Sequence, residues 1–99
     1  MVLKGTLVQE IVSFGGKYAI EKIVLFGSRA RGDNKERSDI DLAIFLGPGF
    51  SQEGLIASEV AELDTLLKID LIFVKPEMDS DLLQNIKREG VVLYERSFE

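Results

Sequence analysis

The chain has 99 residues, 45% apolar and 29% charged, an ordinary balance for one globular domain that buries roughly two-thirds of its unfolded surface. With no histidine and no cysteine, triads built on a histidine base, His-ligated zinc and disulfide frameworks are excluded, so acid–base work falls to carboxylates and lysines. A net charge of −5 argues against this domain gripping nucleic acid by itself, and no apolar run approaches the ~20 residues of a membrane span.

In chain order, Leu3, Leu7, Ile11, Phe14 and Tyr18 recur at helical spacing while Lys4, Gln9, Glu10 and Lys17 fall elsewhere. This predicts an amphipathic helix from Val2, weakened at Gly15-Gly16, with Tyr18 in the connection. Residues 22–26 read as the first strand, ending in Gly27-Ser28. Gly27 permits close approach of backbone to a ligand, and Ser28 is placed to cap a short helix beginning near Arg29, whose exposed amides attract phosphate. Gly27 and Gly32 have the outer spacing of a Walker A loop, but Asp33-Asn34 stand where Lys-Ser/Thr is required, so a P-loop is excluded. Arg29, Arg31, Lys35 and Arg37 against Asp33 and Glu36 make this stretch locally basic, which suits a small anionic ligand or an acidic partner patch.

Ser38-Asp39-Ile40-Asp41-Leu42-Ala43-Ile44-Phe45 follows as a second strand, running to Leu46. Residues two apart share a face, so Asp39 and Asp41 are expected to project together while Ile40, Leu42, Ile44 and Leu46 face a core. Two such carboxylates repel and lose hydration unless a cation or donors offset them, and oxygen-only ligation suits magnesium completed by phosphate oxygens. The plainer alternative is that Asp39 is a turn residue and Asp41 faces solvent.

Gly47-Pro48-Gly49 is a breaker, and Gln52 to Leu67 reads as a helix with Ile56, Val60, Leu63 and Leu67 on one side. Ile69 to Val74 is the next strand, in which Asp70 is an isolated acid on the face of Ile72 and Val74. Burial of that charge needs either a metal shared with Asp39 and Asp41 or an ion pair, with Lys68 or an arginine as partner. Pro76 closes the strand, Asp79 or Ser80 caps a helix carrying Leu82, Leu83 and Ile86, Gly90 ends it, Val91–Tyr94 is a last strand, and Glu95–Glu99 is a frayed tail. The expected fold is α/β, one mixed β-sheet with helices packed on one side, in a single domain over residues 1–99.

Gly27-Ser28-Arg29-Ala30-Arg31-Gly32, then Ser38-Asp39-Ile40-Asp41-Leu42, then the acid of Ile69-Asp70-Leu71 resembles the signature of DNA polymerase beta-type nucleotidyltransferases, and within them the minimal nucleotidyltransferases. That resemblance implies catalytic and metal-binding roles for Asp39, Asp41 and Asp70 around two Mg²⁺ ions, with Mn²⁺ as substitute. Asp70 is the implied general base, and Gly27 and Ser28, with Arg29, the implied nucleotide-binding residues. ATP is the implied substrate, a nucleoside monophosphate the transferred group and a protein hydroxyl the acceptor. Minimal nucleotidyltransferases are often paired with a HEPN-domain protein, as antitoxin in a toxin–antitoxin system, and some adenylylate that partner on tyrosine. A hetero-complex with a HEPN-type partner is therefore implied. The competing readings are a non-catalytic module that neutralises such a partner by contact, and a small-molecule nucleotidyltransferase, against which the lack of room for a second domain counts. A chain without cysteine and without a leader-like opening also fits the cytoplasm.

Overall fold

The computed structural model describes residues 3–47, 52–74, 78 and 80–96. In chain order the elements are α1 (Gly5–Lys17), β1 (Ile20–Phe26), α2 (Ser28–Arg31), β2 (Ile40–Leu46), α3 (Glu53–Ala61), β3 (Ile69–Val74), α4 (Ser80–Glu89) and β4 (Val91–Glu95). The strands form one sheet in the order β3-β2-β1-β4, with β2 and β3 parallel and the other neighbours antiparallel. This is the expected mixed α/β sheet.

Alternation along the strands divides the apolar residues between two faces. Ile23 and Leu25 of β1 and Ile40, Leu42 and Ile44 of β2 are buried against Leu7 and Ile11 of α1 and Ile56 and Val60 of α3. On the opposite face Val24 and Ala43 are buried with Ile86 of α4, flanked by Phe26, Phe45, Val74 and Leu82. Two helices thus share the expected side, and α4 takes the other. Its stripe of Leu82 and Ile86 meets an apolar strip centred where Val24 and Ala43 pair across β1 and β2.

α1 begins at Gly5 and β1 at Ile20, against the expected Val2 and Lys22, and three further boundaries depart for local reasons. α1 continues through Gly15-Gly16 because Gly15 is where the helix touches Tyr94 of β4, and a Cβ there would collide with that ring. α3 stops at Ala61: Glu62 and Leu63 donate to Glu59 and Val60 at the tight three-residue spacing, and Thr65 Oγ1 then accepts from Leu67 N. Short polar side chains of this kind offer the backbone an alternative to the helix. Leu63 and Leu67 still pack on the core, so the helical periodicity persists in the sequence without the helix. Glu95 and Arg96 are tied to the sheet, Lys22 pairing with Glu95 at 3.6 Å and Arg96 N donating to Glu21 O, rather than belonging to a frayed tail. The expected breaker at Pro48-Gly49, the strand closure at Pro76, the cap at Asp79 and the tail beyond Arg96 lie outside the described residues.

Candidate active site

The residues singled out in the sequence converge at one end of the sheet, where β1 ends and β2 and β3 begin. Gly27 lies at the N-cap of α2 with φ +75°, a conformation that favours glycine. A Cβ at this position would also run into the Asp41 carboxylate, so absence of a side chain brings the turn against that acid. Ser28 is the first helical residue instead of the expected cap, and the capping position makes no side-chain hydrogen bond. The four-residue helix closes with Ala30 N and Arg31 N both donating to Gly27 O, and Gly32, at φ +89°, turns the chain out of it.

Parallel pairing sets Asp41 directly beside Asp70, and Phe26 stands across from Asp41 on β1. Neighbouring strands lie about 4.8 Å apart, so the two half-buried aspartates are lateral neighbours on the face covered further along by α4. Burial pushes the Asp41 carboxyl above the usual carboxylate range, the charges of Asp70 and Asp39 push it further, and Arg31 opposes them. A carboxylate in this setting calls for a positive charge. Lys68 partly supplies one, its Nζ lying 3.4 Å from Asp70 Oδ1, with both side chains substantially exposed. An exposed pair of this kind contributes little to stability.

Asp39 is near enough to Asp41 for its charge to act on that carboxyl, but it stands outside the strand. The ladder starts one residue later, with Ile40 N donating to Lys68 O, so Asp39 is the last residue of the preceding loop and is exposed. Together with Arg37, Leu66, Leu67 and Lys68 it lines an open pocket of about 460 Å³. Among the described residues no three acidic side chains are gathered closely enough to hold a metal ion. By donor chemistry the Asp41–Asp70 pair fits a hard divalent cation, being oxygen-only, adjacent and under-neutralised. Asp39 stands at its margin.

Arg29 and Arg31, which the sequence does not tell apart, have different surroundings. Arg29 is buried, with Nε donating to Ser38 O and one terminal nitrogen donating to Glu36 O, each at 3.0 Å. Arg31 is exposed on α2 and donates to Asp33 Oδ2 at 3.1 Å and to Glu89 Oε2 of α4 at 2.8 Å. Neither arrangement has a sequence signal, since the Ser38 and Glu36 groups that Arg29 reaches are backbone carbonyls and Glu89 is 58 residues away from Arg31.

Residues 9–99 match the family described as Polymerase beta, Nucleotidyltransferase. Two Methanocaldococcus jannaschii proteins, named as candidate protein adenylyltransferases MJ1379 and MJ1217, are 39% and 38% identical to this chain. Each match covers 68% of this chain and 78% of the relative. Among solved structures, a chain of a toxin–antitoxin complex crystallised with AMP-PNP superposes with a TM-score of 0.69 at 22% identity, covering 96% of this chain and 76% of that one. A complex of a tri-AMPylated Shewanella oneidensis HEPN toxin with its MNT antitoxin gives a TM-score of 0.68 at 20% identity, covering 95% and 74%. These two likenesses concern the fold. The family match over nearly the whole chain, joined to a Gly-Ser turn set against paired aspartates, identifies this protein as a member of the polymerase beta-type nucleotidyltransferase family.

Proposed function

We propose that this chain moves a nucleoside monophosphate, AMP from ATP, onto a hydroxyl of a partner protein, and that the acceptor is a tyrosine of a HEPN-type toxin for which this chain is the antitoxin. The observation that carries the reading is the Asp41–Asp70 pair lying laterally adjacent, with the side-chain-free turn at Gly27 against Asp41. Relatives named for protein adenylylation, and neighbours solved with AMP-PNP or with an AMPylated HEPN toxin, support the choice of nucleotide and acceptor.

In this reading Gly27 and Ser28 receive the β- and γ-phosphates through their backbone amides and the Ser28 hydroxyl. Asp41 and Asp70, with Asp39 at the margin, would hold two Mg²⁺ ions, or Mn²⁺ in their place. Bound there, the cations supply neutralisation of the triphosphate and a lower pKa for the acceptor hydroxyl. Asp70 accepts the hydroxyl proton, the oxygen attacks the α-phosphorus in line, and the bond to pyrophosphate breaks. Arg31 lies close enough to Asp41 to influence its charge and offers a guanidinium to phosphate once Asp33 or Glu89 releases it.

A second reading, a module that neutralises its partner by contact alone, is favoured by Lys68 already pairing with Asp70. One experiment separates the two. The protein is incubated with ATP labelled at the α-phosphate, Mg²⁺ and the partner, with Asp70→Asn as control. Label on the partner, a mass increase of one AMP unit and loss of both in the variant support transfer. Tight binding without label, and equal neutralisation by the variant, replaces the enzyme with the contact module.

A further inference from the structure

The geometry points to Arg29 as a positioning residue that fixes Asp39 from beneath, rather than as a ligand of the nucleotide. This inference rests on the proposed role of the three aspartates and adds a residue to it. Arg29 is the one charged residue that is buried among the described residues, at 5% exposure, whereas the neighbouring cations Arg31, Lys35 and Arg37 are exposed. Its planar fork grips two carbonyls of the same loop, Nε on Ser38 O and a terminal nitrogen on Glu36 O. The Ser38 carbonyl belongs to the peptide bond that leads into Asp39. One residue further on, Ile40 N is fixed to Lys68 O as the ladder begins. Asp39 is thus held between a guanidinium on one side and a strand register on the other.

Among the described residues, the loop's other contacts include Asp33 N donating to Ser28 O and the exposed Arg31–Asp33 pair, both at its α2 end. Residues 31–37 are exposed but for Asn34, and the loop's internal bonds, Ser38 N to Lys35 O and Lys35 N to Ser38 Oγ, close it locally without tying it to the sheet. A lysine at position 29 presents a single point of donation in place of a rigid fork and would satisfy the two carbonyls less specifically. Residues that orient a ligand from behind commonly change metal affinity or activity by about 10- to 100-fold when replaced.

The test is Mn²⁺ binding by calorimetry, without nucleotide, for the unsubstituted protein, Arg29→Lys, Arg29→Met, Asp39→Asn and the double variant Arg29→Lys/Asp39→Asn, with folding checked by circular dichroism. Expected are affinities weakened about tenfold or more by Arg29→Met and less by Arg29→Lys, and no further loss when Arg29→Lys is added to Asp39→Asn. If Arg29→Met does not fold, Arg29→Lys and its double variant decide. Mn²⁺ affinity unchanged by Arg29→Lys and Arg29→Met overturns this inference alone, as does an equal loss in the Asp39→Asn background. Absence of Mn²⁺ binding by the unsubstituted protein overturns the metal reading and this inference with it.

Discussion

The two faces of the sheet use the same strands for opposite purposes. On the face under α1 and α3, Ile23, Leu25, Ile40, Leu42 and Ile44 are almost fully buried and pack with apolar residues of both helices. On the other, α4 covers Val24 and Ala43 but leaves Asp41 and Asp70 half-buried at the end of the sheet. Strand β2 contributes to both, its even residues to the closed face and Asp41 and Ala43 to the open one. The strict period of two makes this division possible: a register slip would bury the carboxylate and expose the leucine together. Stability should therefore reside mainly in the first face and chemistry in the second, and substitutions on adjacent residues should separate them.

The largest effect is expected on the open face. Asp70→Asn should lower the transfer rate by about 10²- to 10⁴-fold, as loss of a general base does, and Asp41→Asn should abolish transfer. In metal-free protein Asp41→Asn should leave the melting temperature unchanged or higher, because it removes a carboxylate crowded by burial and by Asp70. A strong fall in melting temperature for either variant would make the pair structural and erase the contrast. On the closed face, Leu42→Ala should cost about 2–5 kcal/mol in urea unfolding while each folded molecule still binds nucleotide. Gly27→Ala should be intermediate in stability, at about 1–3 kcal/mol for a strained positive φ, yet should also disturb Asp41, which a stability assay and an ATP-binding assay read separately. The smallest effect is in pH. Asp41 binds its proton more tightly folded than unfolded, so metal-free stability from this group is greatest below the ordinary carboxylate pKa of ~3.9 and declines as pH rises through its higher folded value. Asp41→Asn should flatten that part of the profile, measured by thermal melts between acid and neutral pH.

Much of this contrast is legible in the sequence, and its gaps have physical causes. The four strands and the face of Ile40, Leu42 and Ile44 follow from alternation, a property of the backbone that tertiary packing did not override. Alternation also sets Asp41 opposite that face, but the Asp41–Asp70 adjacency required knowing that β2 and β3 pair in parallel and in which register. Periodicity does not mark where a ladder begins, so it leaves open that Asp39 stands just before β2, whose first residue held by the neighbouring strand is Ile40. It overextended α3 because Leu63 and Leu67 reach the core from an irregular segment at helical spacing. Gly15 read as a weak point in α1 because the ring that requires it, Tyr94, lies 79 residues away. The clamp made by Arg29 was out of reach for a similar reason: hydrogen bonds to backbone carbonyls leave no trace in residue types.

The claim that the open face is a cation-dependent nucleotide site is tested most directly by calorimetric titration of ATP into the unsubstituted protein, with Mg²⁺ and then with EDTA. Binding should be weak in EDTA and much tighter with Mg²⁺, and Asp41→Asn should remove the gain on adding Mg²⁺. Equal affinity in the two conditions would contradict it.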